Sequence, residues 1–157
     1  MEKTQKGGRA MKKQIIVVLV NLLLLTGCAG TMSELGIKNG ELTPCPKTPN
    51  CVNSQAVGEK HYIQPIRYAG TRQEMRVRLL QILEAEKRTN ILTVQEDYVR
   101  VEFTSALFRF VDDVEFYFPE EQSGETVIYV RSASRLGYSD LGANRKRIEW
   151  IRGEFNK

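Results

Sequence analysis

Residues 131–148, RSASRLGYSDLGANRKRI, concentrate the side chains that could do polar chemistry. Arg131, Ser132, Ser134, Arg135, Tyr138, Asp140, Asn144, Arg145 and Arg147 stand here with little apolar material between them. Guanidinium groups grip carboxylate or phosphate through paired donors. A helix N-terminus adds backbone amides for an anion. Two outcomes are open. In one, the set is a satisfied network: Asp113 pairs with Arg131, Asp140 caps the final helix, and Asn144 ties that helix to the turn. Buried polar groups need such partners. In the other, Arg131, Arg135 or Arg145 form a shallow anion site near the helix start. The network is preferred, because a site also needs a pocket, which spacing does not supply.

Catalytic patterns are scarce. His61 is the single histidine and sits in a Lys-His-Tyr context with no nucleophile elbow. It reads as a surface or hinge residue. Asp112 and Asp113 are neighbours on an expected strand, so they point to opposite faces and cannot act as a carboxylate pair. No P-loop or dinucleotide fingerprint occurs, and no cofactor is expected. Cys45 and Cys51 with His61 would lack a fourth metal ligand at any usual spacing. A non-catalytic binding or scaffolding module is therefore preferred. An envelope enzyme acting on an anionic small molecule through the Arg131–Arg145 cluster is the alternative.

The elements that must position these residues follow from periodicity. Residues 62–68 read as a short edge strand containing Pro65. Thr71 and Glu74 form a capping box for a helix to about Lys87, with Met75, Leu79, Ile82 and Leu83 on one face. Strands at 91–95 and 98–104 flank a turn at Glu96-Asp97. Val99, Val101 and Phe103 alternate with Arg100, Glu102 and Thr104, a half-buried antiparallel pattern. Val114, Phe116 and Phe118 alternate next, residues 119–125 turn, and 127–134 form the last strand. From Leu141, Asn144, Ile148, Ile151 and Phe155 recur at helical spacing. This order implies an α+β two-layer domain, an antiparallel sheet of about five strands with two helices on one face. Matching apolar faces sets Phe116 opposite Ile128 and Val114 opposite Val130. Asp113 then faces Arg131 and Asp112 faces Ser132.

The chain of 157 residues suits one domain. Residues 1–27 hold five of the 23 basic residues and one of the 19 acidic ones, leaving 18 of each beyond. The net charge of +4 thus belongs to the leader, and no nucleic-acid partner is expected. That leader has a basic start, an apolar run from Ile15 to Leu25 too short to span a bilayer, and then Leu25-Thr26-Gly27-Cys28. Met11 makes a more typical start than Met1. The ending resembles a bacterial lipobox. The resemblance implies a signal peptide over 1–27, acylation of Cys28, membrane attachment through it, and a cell-envelope location. Ala29 leans that location toward the outer membrane facing the periplasm. Residues 28–43 read as a tether reaching about 20 Å, followed by a domain over 44–157. With Cys28 acylated, two cysteines remain in a compartment that permits disulfides, which favours a Cys45–Cys51 bridge over the metal site.

CPKTPNCVNSQ, RFVDDVEFYF and RSASRLGYSDLGANRKRIEWI, in that order, resemble the domain-of-unknown-function 1499 family over about residues 44–153. The resemblance implies a single domain in a family whose activity is unknown. It marks Cys45, Cys51, Asp112, Asp113, Arg131, Ser134, Arg135, Asp140, Asn144 and Arg145 as signature positions and supplies no reaction.

Overall fold

The computed structural model describes residues 35–120 and 125–157. The expected leader, Met11 and Cys28 lie outside these residues. The described chain opens with a hairpin, β1 (Ile37–Lys38) and β2 (Glu41–Leu42). Its two-residue loop, Asn39-Gly40, has φ of 54° and 79°, the left-handed pair that lets a tight turn match strand twist. Leu42 is buried and the Gly36 amide donates to Glu115. The part of the expected tether from residue 36 to 42 is therefore packed onto the domain.

β3 (Cys51–Asn53), β4 (Ile66–Ala69), α1 (Arg72–Ala85), β5 (Thr89–Val94), β6 (Tyr98–Thr104), β7 (Val111–Tyr117), β8 (Glu125–Ser134) and α2 (Ala143–Phe155) follow. Six strands form the main sheet in the order β3-β8-β7-β6-β5, with β4 also paired to β8. These strands pair antiparallel, and an isolated parallel bridge joins Asn53 to Tyr62. The fold is α+β. The strand beyond the expected five is β3, whose three residues are too few to show an alternation. β8 is the hub: β7 pairs along one edge, while β4 and β3 share the other, at residues 125–128 and 131–133.

α1 begins as its capping box dictates. Thr71 Oγ1 accepts from the Glu74 amide, and the Glu74 carboxylate accepts from the Thr71 amide. The backbone hydrogen bond from Thr71 holds the Glu74 carboxyl below its ordinary pKa. Met75, Leu79 and Leu83 of α1 and Ile148, Ile151 and Phe155 of α2 share one core with Val99, Val101, Phe103, Val114, Phe116, Ile128 and Val130. Burying a side chain such as Phe116 stabilises by about 1.5–3 kcal/mol. The other alternate set, Arg100, Glu102, Asp113, Glu115 and Arg131, lies outside that cluster, because side-chain direction reverses at each strand residue.

Candidate functional site

The β7–β8 ladder pairs Phe116 with Val130, Val114 with Ser132, Asp113 with Ala133 and Asp112 with Ser134. The expected register is corrected by two residues. Arg131 stands opposite Glu115 rather than Asp113. A two-residue slip keeps every side chain on its expected face, so the apolar match alone accepts either register. In the observed one β7 pairs with β8 from residue 129 onward, while β4 pairs with residues 125–128.

At the end of the sheet the core-facing side turns polar. Ser132 Oγ donates to Asn144 Oδ1 at 2.5 Å, and Asn144 Nδ2 donates to Ser134 Oγ and to the Asn50 carbonyl, each at 3.0 Å. Arg147 closes the set. It donates to Asn144 Oδ1 at 2.6 Å, Ser132 Oγ at 2.9 Å and Asp112 Oδ2 at 2.5 Å, and its guanidinium lies over the Phe103 ring. Asn144 is fully buried on the first turn of α2. Asp140 caps that helix from two residues before Gly142, accepting from the Gly142 and Asn144 amides at 2.9 and 2.8 Å. This set joins strand, helix and loop with its polar groups mutually paired.

The opposite side carries a separate charge ladder. Asp113 accepts from Arg135 Nε at 2.7 Å and from Arg100 Nη2 at 2.8 Å, and Arg135 also pairs with Glu102. Burial alone would raise the Asp113 carboxyl, but hydrogen bonds from Arg135 and Arg100 outweigh it and hold it below the ordinary value. The hydrogen bond to Asp113 correspondingly raises the Arg135 pKa. One rung further in, Arg131 Nη1 donates to Glu115 Oε2 at 2.9 Å, with both side chains buried. Glu115 Oε1 accepts from Tyr98 Oη at 2.8 Å and from the Gly36 amide at 2.7 Å. Burial, then the neighbouring Glu115 charge, raises the Tyr98 pKa strongly.

Cys45 and Cys51 are joined by a disulfide, with Cα atoms 5.7 Å apart. The bridge takes up both sulfurs that the metal alternative required. His61 Nδ1 lies 3.0 Å from the Cys51 carbonyl. Asn50 sews this loop to the end of β8: its amide nitrogen donates to the Gly137 carbonyl at 2.7 Å, and its carbonyl accepts from the Ser134 amide at 3.0 Å. Between the loop and the sheet lies a cavity of about 370 Å³, lined by Cys45, Thr48, Asn50, Asp113, Arg131, Ala133, Ser134 and Arg135 among others. Ala133 offers only a methyl between the two arginines, which keeps the floor open. Arg131 Nε is buried and has no hydrogen-bond partner among the described residues.

The signature positions therefore do not converge on one point. Asp112, Ser134 and Asn144 join on the core-facing side, Asp113, Arg131 and Arg135 line the cavity on the other, and Arg145 donates to the Tyr62 carbonyl away from both. Sequence reasoning gave Arg147, Arg100 and Glu102 no partner and did not single out Glu115 or Asn50. Glu115 was traceable, because it falls two residues after Asp113 on the same face of a strand. Asn50 was not, because its role comes from contacts more than 80 positions away.

No curated protein matches the chain in sequence. The model of the family described as "Protein of unknown function (DUF1499)" matches residues 41–155. That span covers the hairpin strand β2, the disulfide loop, both polar sets and the cavity, and the chain belongs to this family.

Proposed function

We propose that the chain is a lipid-anchored cell-envelope protein whose domain binds or scaffolds rather than catalyses. The observation that carries the second half is the pairing of the buried carboxylates with arginines. Asp112 is held by Arg147, Asp113 by Arg100 and Arg135, and Glu115 by Arg131. A general acid or base must exchange its proton near the working pH and reach a substrate. Carboxylates locked to arginines hold conformation instead. The anchoring half rests on the leader and Cys28. Two or three acyl chains, at about 0.8 kcal/mol per buried methylene, make attachment effectively permanent. In this reading residues 28–34 are the tether, both helices cover the core-facing side of the sheet, and Ala29 favours the outer membrane.

Cys28→Ala tests the anchor. The expected result is a precursor that stays uncleaved and takes up no labelled fatty acid; undiminished label in the variant would refute it. A second reading is favoured by Arg131 Nε and by Arg135 at the cavity: the domain takes a small oxyanion there. Thermal melts in sulfate and chloride at matched ionic strength separate the readings. Sulfate-specific stabilisation abolished by Arg135→Ala selects the anion site. Equal melting in both salts selects the structural network.

A further inference from the structure

The loops at one end of the sheet hold large apolar side chains in solvent. Between β6 and β7, Leu107, Phe108 and Phe110 are 79, 71 and 49% exposed. Between β8 and α2, Leu136, Tyr138 and Leu141 are 50, 71 and 89% exposed. The two loops spring from adjacent strand ends, since Asp112 pairs with Ser134 and the Arg135 amide donates to the Val111 carbonyl. Exposed apolar residues are ordinary when scattered; grouped at one end of a fold they mark a contact.

The loops are built to hold these side chains out. The Ser105 amide donates to the Phe110 carbonyl and the Phe110 amide to Ser105 Oγ, which closes the first loop. The Phe108 and Phe110 rings lie 5.7 Å apart. Leu141 has φ of 53°, an unfavourable conformation for a bulky residue. Asp140 and Gly142 fasten it there through the cap of α2, so its side chain stays outside the core.

Charge identifies the partner. Arg109 sits between the two phenylalanines and is exposed. Lys87 and Arg88 are exposed at the same end, where the Arg88 carbonyl accepts from the Thr104 amide at the close of β6. Lys146 is exposed on the first turn of α2. Neither loop presents a free carboxylate: Asp140 is the one acid within residues 105–111 and 135–147, and it is occupied by backbone amides. Aromatic and aliphatic tips ringed by cations suit a surface with apolar depth beneath an anionic layer. Basic residues close to such a layer are attracted by its surface potential. We propose that this loop end inserts into the interface of a bilayer rich in anionic phospholipid. Leu107, Phe108, Phe110 and Tyr138 enter the acyl boundary, while Lys87, Arg88, Arg109 and Lys146 meet the headgroups. The contact is separate from acylation at Cys28 and does not depend on it.

The experiment places single tryptophans in the full chain, reconstituted with vesicles that carry brominated acyl chains. Phe108→Trp probes the loop end. Val57→Trp, at a fully exposed position, lies beyond Ser54, whose amide bonds Val130, toward the other end of β8. Trp150 emission from the wild-type chain is subtracted. With phosphatidylglycerol present, Phe108→Trp emission should be quenched at least threefold more strongly than Val57→Trp and should shift to the blue. The added double change Arg88→Glu and Arg109→Glu, or vesicles of phosphatidylcholine alone, should remove most of that quenching. Equal quenching at both positions would mean the N-terminal segment alone holds the chain to the bilayer, and would overturn the proposal. A concentration-dependent blue shift of Phe108→Trp without vesicles, with no bromine quenching when they are added, would assign the patch to a second copy and overturn it as well. Unchanged circular dichroism for each variant verifies the fold.

Discussion

Replacing Glu115 with alanine removes the acceptor for three donors at once: Arg131 Nη1, Tyr98 Oη and the Gly36 amide. Glu115 is fully buried and Arg131 is 1% exposed, so bulk solvent does not screen the charge left behind. Breaking a buried pair by removing one partner costs about 3–5 kcal/mol, because the other charge remains inside. The Tyr98 hydroxyl, left without its acceptor, adds about 1–3 kcal/mol. The contributions share one network and do not sum fully, so the expected loss is about 4–6 kcal/mol. A domain of this size has about 6–18 kcal/mol in all, which makes Glu115→Ala one of the most damaging single changes available. The partner experiment is Glu115→Ala with Arg131→Met, which removes both charges and keeps an apolar chain of similar length. It should recover about 2–3 kcal/mol relative to the single variant, since no buried charge is left. Urea unfolding followed by Trp150 fluorescence gives both values from shifts in midpoint at constant slope. A single variant losing less than about 1 kcal/mol, the range of an exposed pair, would refute the reasoning. So would a double variant as unstable as the single one.

Asp113→Asn tests the outer rung by pH. The folded pKa of Asp113 is depressed, so its contribution is present above the unfolded value of about 3.9 and disappears as pH falls through the folded value. The wild-type chain should exceed the variant in urea midpoint at pH 7, and the gap should narrow steadily below about pH 4; a gap that widens on acidification would contradict the assigned pairing. Alkylation without reductant, read by mass spectrometry, should find no free thiol at Cys45 or Cys51. Reduction should cost about 2–3 kcal/mol at most, because the closed loop is short, and a larger loss would show that the bridge holds more than its own loop.

Much of the architecture was legible before any coordinates. The alternation in 98–104 placed β6 with its apolar face inward, and the Thr71–Glu74 box set the start of α1, because both depend on residues close in sequence. The helical spacing of Asn144, Ile148, Ile151 and Phe155 likewise identified the face of α2 that is buried. The cysteine count and the apparent compartment pointed to the bridge that the structure contains. Cys51–Asn53 escaped notice as a strand, since three buried residues carry no period.

What belonged to the sequence by itself was which face each strand side chain occupies, for that follows from a period of two within one segment. It placed Asp112 with Ser132, and Asp113 on the other side. What only the tertiary structure decided was the rung. Sliding β7 against β8 by two residues leaves every face unchanged and alters every partner. The observed rung sits among long-range contacts, β4 with the first half of β8 and the hairpin's Gly36 with Glu115. Those contacts join segments about 60 and 79 positions apart, and no local pattern encodes them. Arg131 found Glu115 instead of Asp113, Asp113 was left to Arg135 and Arg100, and the cavity opened over Ala133 between them.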